Sequence, residues 1–255
     1  MAAYTSAQRQ QEIAQLLQAQ GAVRSAELAQ RYEVTRETIR QDLVALEQLG
    51  LAQRTHGGAL LRGYGLEMPL DFRSDPSHLK EKIARCACAH IQENHSIYLD
   101  AGTTALACVP FLNRAEPLDI FTPSLEAAQL LDATRHNVFV LPGKKRHKNE
   151  SLLGPWTDRF LRTVHIDLAL LGTSGLHGST GPTTHSYVEL NLMQVVIDQS
   201  DLTYVLAAAS KFQEPGLHTY ASWESIDALI TDDSLAEKTR ASLPPILKVL
   251  VAGID

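Results

Sequence analysis

Apolar residues recur at helical spacing three times within the first fifty positions. Ile13, Leu16 and Leu17 mark one amphipathic helix that stops at Gly21, and Ser25 opens a second containing Leu28 and Ala29. After Tyr32-Glu33-Val34, Thr35 is placed to cap a third helix in which Ile39, Leu43 and Leu46 form a buried stripe. Two short helices joined by a turn of about three or four residues form a helix-turn-helix. Gly50 ends the third helix, and Leu51-Ala52-Gln53-Arg54-Thr55-His56-Gly57-Gly58-Ala59 reads as a short hairpin. The pattern predicts a small α+β winged helix-turn-helix domain over residues 1–59.

Residues 60–76 hold Gly63, Gly65, Pro69 and Pro76 and keep no period, so they read as a linker in which Leu66-Glu67-Met68-Pro69-Leu70 can pack. From 77 to 255, helical and extended patterns alternate. Helices are expected over 79–91, with Ile83, Ala87 and Ile91 on one face, and over 125–131, 156–164 and 187–198. Another should run from Thr103 to Leu112, bent at Pro110. Strands are expected over 96–100, 118–121, 138–141, 167–172, 203–208, 228–230 and 248–251. Strands rich in Val, Leu and Ile that alternate with helices predict an α/β domain whose mostly parallel, Rossmann-like sheet is covered on both faces.

The 255 residues carry a formal net charge of -6, which looks unsuited to a nucleic-acid partner until it is divided. Residues 1–58 contain six arginines (Arg9, Arg24, Arg31, Arg36, Arg40, Arg54) and six acids, so the acidic excess lies wholly in the residues that follow. A neutral reader attracts DNA only weakly without sequence contacts, so tight binding requires two copies on one duplex. Cys86, Cys88 and Cys108 make an odd count without scaffold spacing, which fits a reducing compartment. No apolar run approaches the roughly 18 residues of a membrane helix, and Gln8-Arg9-Gln10-Gln11 is unlike a signal peptide, so a cytoplasmic location is expected.

The third helix carries Arg36, Thr38, Arg40 and Gln41 near its start. These are donors suited to guanine N7 and O6, adenine edges and phosphate oxygens. Ser25 and Thr35 open the two helices of the motif, and Arg54 and His56 lie on the hairpin where a wing meets phosphate. A solvated surface helix would carry similar charges; the flanking helix and hairpin favour the DNA reading. The expected partner is double-stranded operator DNA, bound by a homodimer or homotetramer across half-sites.

Open parallel sheets bind ligands beyond the carboxyl ends of their strands. There the chain places Asp100-Ala101-Gly102-Thr103-Thr104, where Gly102 permits a close turn and two hydroxyls sit beside N–H groups at a helix start. Thr122 and Ser124 follow the second strand of the domain, Gly143 and Lys144 the third, and Gly172 and Ser174 the fourth. Lys211 supplies a point charge after the next. Each also has a plain reading as a turn, cap or solvated loop. Cys86, Cys88 and His90 sit two residues apart in turn along one helix and so point in different directions, and no second pair follows, so no metal site is expected. Thr184-His185-Ser186 near Glu189 lacks the glycines of a nucleophile elbow, and a hydrolase is rejected.

Val23 through Leu28, Val34-Thr35, Thr38-Ile39-Arg40-Gln41-Asp42-Leu43, Leu46-Glu47, Gly50 and Arg54 through Ala59 resemble the amino-terminal signature of the DeoR family of bacterial transcriptional regulators. Gln41 stands where the family usually has a second arginine. Lys80 through Ala84, Leu99 through Thr104, Gly181, Thr183-Thr184, Glu189 and Ser210-Lys211-Phe212 resemble its effector domain, which is similar to ribose-5-phosphate isomerase. The resemblance implies a repressor of a carbohydrate operon that senses a small phosphorylated sugar or polyol. It also implies that Asp100, Gly102, Thr103, Thr104, Glu189 and Lys211 line the site. Pro123, Pro142, Ser174 and Ala208 depart from the family pattern and imply a changed effector or a weakened pocket. The alternative is a sugar-phosphate isomerase or deaminase with a DNA-binding appendage; the missing carboxylates at 174 and 208 favour a non-enzyme that needs no cofactor.

Overall fold

The computed structural model describes residues 4–20, 22–55, 57–61, 77–146 and 149–253. The chain divides into two units, Met1–Ser74 and Asp75–Asp255. Gly21, His56 and the apolar stretch at 66–70 lie outside the described residues.

In the first unit, α1 (Ser6–Gln20), β1 (Ala22–Arg24), α2 (Ser25–Arg31), α3 (Arg36–Gln48), β2 (Ala52–Thr55) and β3 (Gly58–Leu61) follow in order. Thr35 caps α3 as its sequence position predicts, its hydroxyl accepting a 3.0 Å bond from the Thr38 amide. Gly50 takes a positive φ of 74° immediately beyond the helix, a conformation that favours glycine at a helix end. Ile13, Leu17, Leu28, Ile39, Leu43 and Leu46 form the core. Each such side chain contributes about 1.5–3 kcal/mol on burial.

Strand β1, between the first two helices, has too few residues to show a period. It pairs antiparallel with β3 to give the order β1-β3-β2. A Cβ at Gly58 would lie 2.0 Å from the Val23 carbonyl oxygen, so the pairing requires glycine there. Strand β3 continues through Leu61, two residues into the segment that composition alone reads as linker.

A buried ion pair fastens α1 to α3. Arg9 Nε donates to Asp42 Oδ2 at 2.6 Å and Nη2 to Oδ1 at 3.2 Å, while Gln10 Nε2 donates to Oδ1 at 3.0 Å. Both charged side chains are buried, so neither tolerates losing its partner.

The second unit opens with α4 (Ser77–Cys88), β4 (Ser96–Leu99), α5 (Thr103–Leu106) and α6 (Val109–Leu112). The single bent helix expected over 103–112 is two single turns, with Pro110 in the first turn of α6, where its missing N–H is harmless. Next come β5 (Asp119–Thr122), α7 (Leu125–Leu130), β6 (Asn137–Val140), β7 (Lys144–Lys145), β8 (Leu152–Leu153), α8 (Pro155–Leu161) and β9 (Ile166–Gly172). The chain continues through β10 (Thr183–Thr184), α9 (Tyr187–Asp198), β11 (Ser200–Leu206), β12 (His218–Thr219), β13 (Ala228–Asp232), α10 (Glu237–Ala241) and β14 (Lys248–Ala252).

Seven strands form one sheet in the order β14-β13-β11-β9-β4-β5-β6, and every described pairing in it is parallel. Alternation sends Ile97, Leu99, Leu168 and Leu170 into one core and Tyr98, Ala169 and Leu171 into another on the opposite face. Both faces are covered, which is why these strands read as continuous apolar runs. Cys86 and Cys88 pack against the first core, and the His90 ring lies 2.9 Å from the Cys86 carbonyl, so this trio closes a helix end.

Asp42→Ala leaves Arg9 charged and buried. The expected cost is about 3–5 kcal/mol, read as an earlier loss of the first unit in urea unfolding followed by circular dichroism. A change below about 1 kcal/mol would show that the pair contributes as little as an exposed one.

Candidate functional site

Burial of Ile39, Asp42, Leu43 and Leu46 fixes which way α3 faces. At 3.6 residues per turn, positions 37, 40, 41 and 44 fall opposite that stripe. Arg36, Arg40, Gln41 and Thr35 are exposed and Thr38 is half-buried. The donors are not idle, however. Arg40 forks onto Glu37, with Nε to Oε2 at 2.8 Å and Nη2 to Oε1 at 2.7 Å. Gln41 Nε2 donates to the same Oε1 at 2.9 Å. These bonds push the Glu37 carboxyl down to about 2.

On the hairpin, Arg54 Nε donates to Glu47 Oε2 at 2.7 Å and its backbone N–H to Oε1 at 2.9 Å. Ser25 begins α2 without capping it through its side chain; its amide donates to the Gly57 carbonyl at 2.8 Å and ties the helix to the hairpin. His56 lies outside the described residues. Glu37 and Glu47 were absent from the expected site, although the three- and four-residue spacing of Glu37 from Arg40 and Gln41 is a readable signal.

In the second unit, parallel pairing puts the carboxyl ends of β4, β5, β6, β9 and β11 on one edge, with the expected ligand-binding turns. Asp100 is buried, and its carboxylate accepts from the Ala101 amide at 2.7 Å and the Gly172 amide at 2.9 Å, joining two of those turns. Tyr220 donates its hydroxyl to the Gly172 carbonyl at 2.7 Å. Burial, reinforced by the Asp100 charge, pushes the Tyr98 and Tyr220 phenols well above their usual range.

Gly102 has an extended backbone, φ -83°, which needs no glycine, and a Cβ there would meet only Asp100 Oδ2 at 3.9 Å. Thr103 and Thr104 are half-buried at the start of α5. That helix is a single turn, so it offers an anion N–H groups and hydroxyls but little summed dipole.

Thr122 and Ser124 are buried and locally engaged: the Thr122 hydroxyl accepts from the Ser124 amide, and Ser124 caps α7. Gly143 is a packing position, since its Cβ would sit 2.6 Å from Thr157 Oγ1 and 2.7 Å from the Leu153 amide. Lys144 is exposed on β7. The Ser174 amide donates to the Thr183 carbonyl at 2.8 Å. Lys211 is mostly buried, and its ammonium donates to Glu214 Oε2 at 2.7 Å.

Glu189 is the centre of a second cluster. It accepts from Arg146, from Asn149 Nδ2 at 2.9 Å and from the Thr184 hydroxyl at 2.7 Å. Arg146 belongs to the basic run after β6, but its pairing with a glutamate 43 residues later is invisible to local pattern. Among the described residues, the one group with metal-ligand spacing is His165, Asp167 and Asp201. It lies at the amino ends of β9 and β11, opposite these turns, and Asp167 Oδ2 is already held by the Ser96 amide and hydroxyl. No helix among the described residues is long and apolar enough to cross a membrane.

Residues 9–62 match the DeoR-like helix-turn-helix domain, and residues 76–233 match the DeoR C terminal sensor domain. A Bacillus subtilis (strain 168) protein named "Uncharacterized HTH-type transcriptional regulator FruR" is 31% identical over 240 residues, spanning 91% of this chain and 96% of its own. The glycerol-3-phosphate regulon repressor of Escherichia coli (strain K12) is 29% identical over 227 residues, spanning 88% and 90%. Ribose 5-phosphate isomerase A from Methanocaldococcus jannaschii aligns in structure over 54% of this chain and 55% of its own, at 17% identity and a TM-score of 0.39. With both domain matches in chain order and a relative similar along almost its whole length, the chain belongs to the DeoR family of transcriptional regulators.

Proposed function

We propose that this regulator represses a carbohydrate operon, that α3 enters the major groove of its operator, and that a phosphorylated sugar or polyol bound at the carboxyl edge of the second unit alters operator affinity. The observation that carries the DNA part is the outward face of α3, with Arg40 and Gln41 exposed away from a fully buried stripe and Arg36 exposed at its flank near the helix start. Repressors of this build act as dimers or tetramers on paired half-sites in the cytoplasm.

The effector reading rests on polar groups gathered where an open parallel sheet receives ligands. Asp100 and Glu189 supply fixed acceptors for sugar hydroxyls, while Arg146 and Lys211 supply the cations for phosphate. The effector acts by preferring one state of the protein, since equal affinity for both would shift nothing. Catalysis is not part of this reading, and incubation with pentose and hexose phosphates should give no product.

Arg36→Ala and Arg40→Ala in the full chain are expected to weaken binding to a duplex selected from a randomised pool. A lost base contact costs about 1–3 kcal/mol, and a lost phosphate contact lowers the salt slope by about one. Fluorescence anisotropy at two salt concentrations distinguishes them; unchanged binding in both variants removes α3 from the interface.

A thermal-shift panel of phosphorylated sugars and polyols on the full chain tests the second site. At about a hundredfold excess over Kd, a ligand selective for the folded state stabilises by about 2.7 kcal/mol. At least one compound should raise Tm, and Glu189→Gln and Lys211→Ala should abolish that rise. A panel without any shift counts against sugar-phosphate sensing.

A further inference from the structure

Glu37, Arg40 and Gln41 stand exposed on the face of α3 turned away from the core, with Val44 half-buried and Gln48 exposed further along the same face. At the middle of a surface offered to a polyanion stands a carboxylate, with both neighbouring donors bonded to it. The same self-pairing recurs across the unit: Arg9 binds Asp42, Arg24 binds Glu27 and Arg54 binds Glu47. Arg31 lies over the Tyr32 ring, which leaves Arg36 as the one arginine of residues 1–58 with no ion pair or ring contact among the described residues.

Two consequences follow for a duplex approaching this face. A phosphate that takes Arg40 only replaces one oxyanion with another, and leaves the Glu37 carboxylate beside the DNA backbone with the Gln41 amide but no cation. Random sequence therefore gains little from Arg40. A sequence that offers guanine N7 and O6 to Arg40, and a cytosine amino group to the carboxylate, keeps every group satisfied. Acidity does not release the clamp, because the Glu37 carboxyl, held down to about 2, remains ionised near neutral pH. An exposed pair of this kind is also weak, so a matching groove opens it readily.

We propose that Glu37 is a specificity-determining residue of this regulator: it holds Arg40 and Gln41 back from arbitrary phosphate and reads a cytosine amino group in the major groove of each half-site. The proposal rests on α3 being the DNA-reading helix. It adds to that reading an acceptor that penalises the wrong sequence, a repulsive device beside the attractive arginines.

The test uses the full chain with two probes, a duplex selected by the wild type from a randomised pool and a scrambled duplex of equal composition. Glu37→Gln should bind the scrambled duplex more tightly and lower the selected-to-scrambled affinity ratio about tenfold, in line with one lost base-discriminating contact. A fresh selection with this variant should show a relaxed cytosine preference at one position per half-site. Glu27→Gln removes an equal charge from the pair on α2 and should leave ratio and base preference unchanged.

An unaltered ratio in Glu37→Gln, or an equal fall in Glu27→Gln, overturns the proposal. Glu37→Asp keeps the charge but shortens the reach to Arg40 and Gln41. It should keep weak binding to the scrambled duplex while losing the cytosine preference, and it decides the matter if Glu37→Gln fails to fold. If the wild type itself selects no sequence, the DNA reading fails; if the wild type selects and the ratio survives in the variants, only the role of Glu37 does.

Discussion

One helix can bury only one face, and the amino-terminal unit depends on which face of α3 that is. Ile39, Leu43 and Leu46 commit one side to the core, and Asp42, locked by Arg9, pins the same side with a buried charge pair. The hydroxyl of Thr35 then sets where the helix begins. With phase and start both determined, residues 37, 40 and 41 have nowhere to project except outward. The outward face is thus a by-product of packing, and its chemistry can change without cost to the fold. The substitution of Gln41 for the family's usual arginine is an exchange of that kind.

The second unit is organised by a different constraint. Parallel strands all end on the same side, so the turns that follow them share an edge without any side chain needing to draw them together. Asp100 bridges two of these turns through the Gly172 amide, and Glu189 on α9 joins Arg146, just beyond β7, to Thr184 of β10. A carboxylate held by donors can accept from ligand hydroxyls instead, which would release Arg146 to donate to a phosphate with little rearrangement of backbone.

Legibility in the sequence followed the range over which each feature is encoded. The cap at Thr35, the α3 stripe and the full span of α9 rest on periodicity within a dozen residues, and each stands where the pattern predicts. The strands of the large sheet are apolar enough to be seen singly, and their parallel pairing follows from the helices between them. Strand β1, the pairs β7–β8 and β10–β12, and the break before α6 have too few residues to carry a period; tertiary partners define them. At the sites, residue types were legible but their partners were not. Arg9 and Asp42 are 33 residues apart, and Arg146 and Glu189 are 43 apart, and nothing local announces either pairing. Glu37 differs, since its bonds to Arg40 and Gln41 lie within one turn of helix.

The central claim is that the outward face of α3 lies in a major groove. Methylation interference on the selected duplex measures this most directly, because a methyl group on guanine N7 blocks that groove alone. Two clusters of interfering guanines, separated by about one helical turn or a multiple of it, are the predicted result. Full binding to a duplex methylated at every guanine N7 would contradict the account.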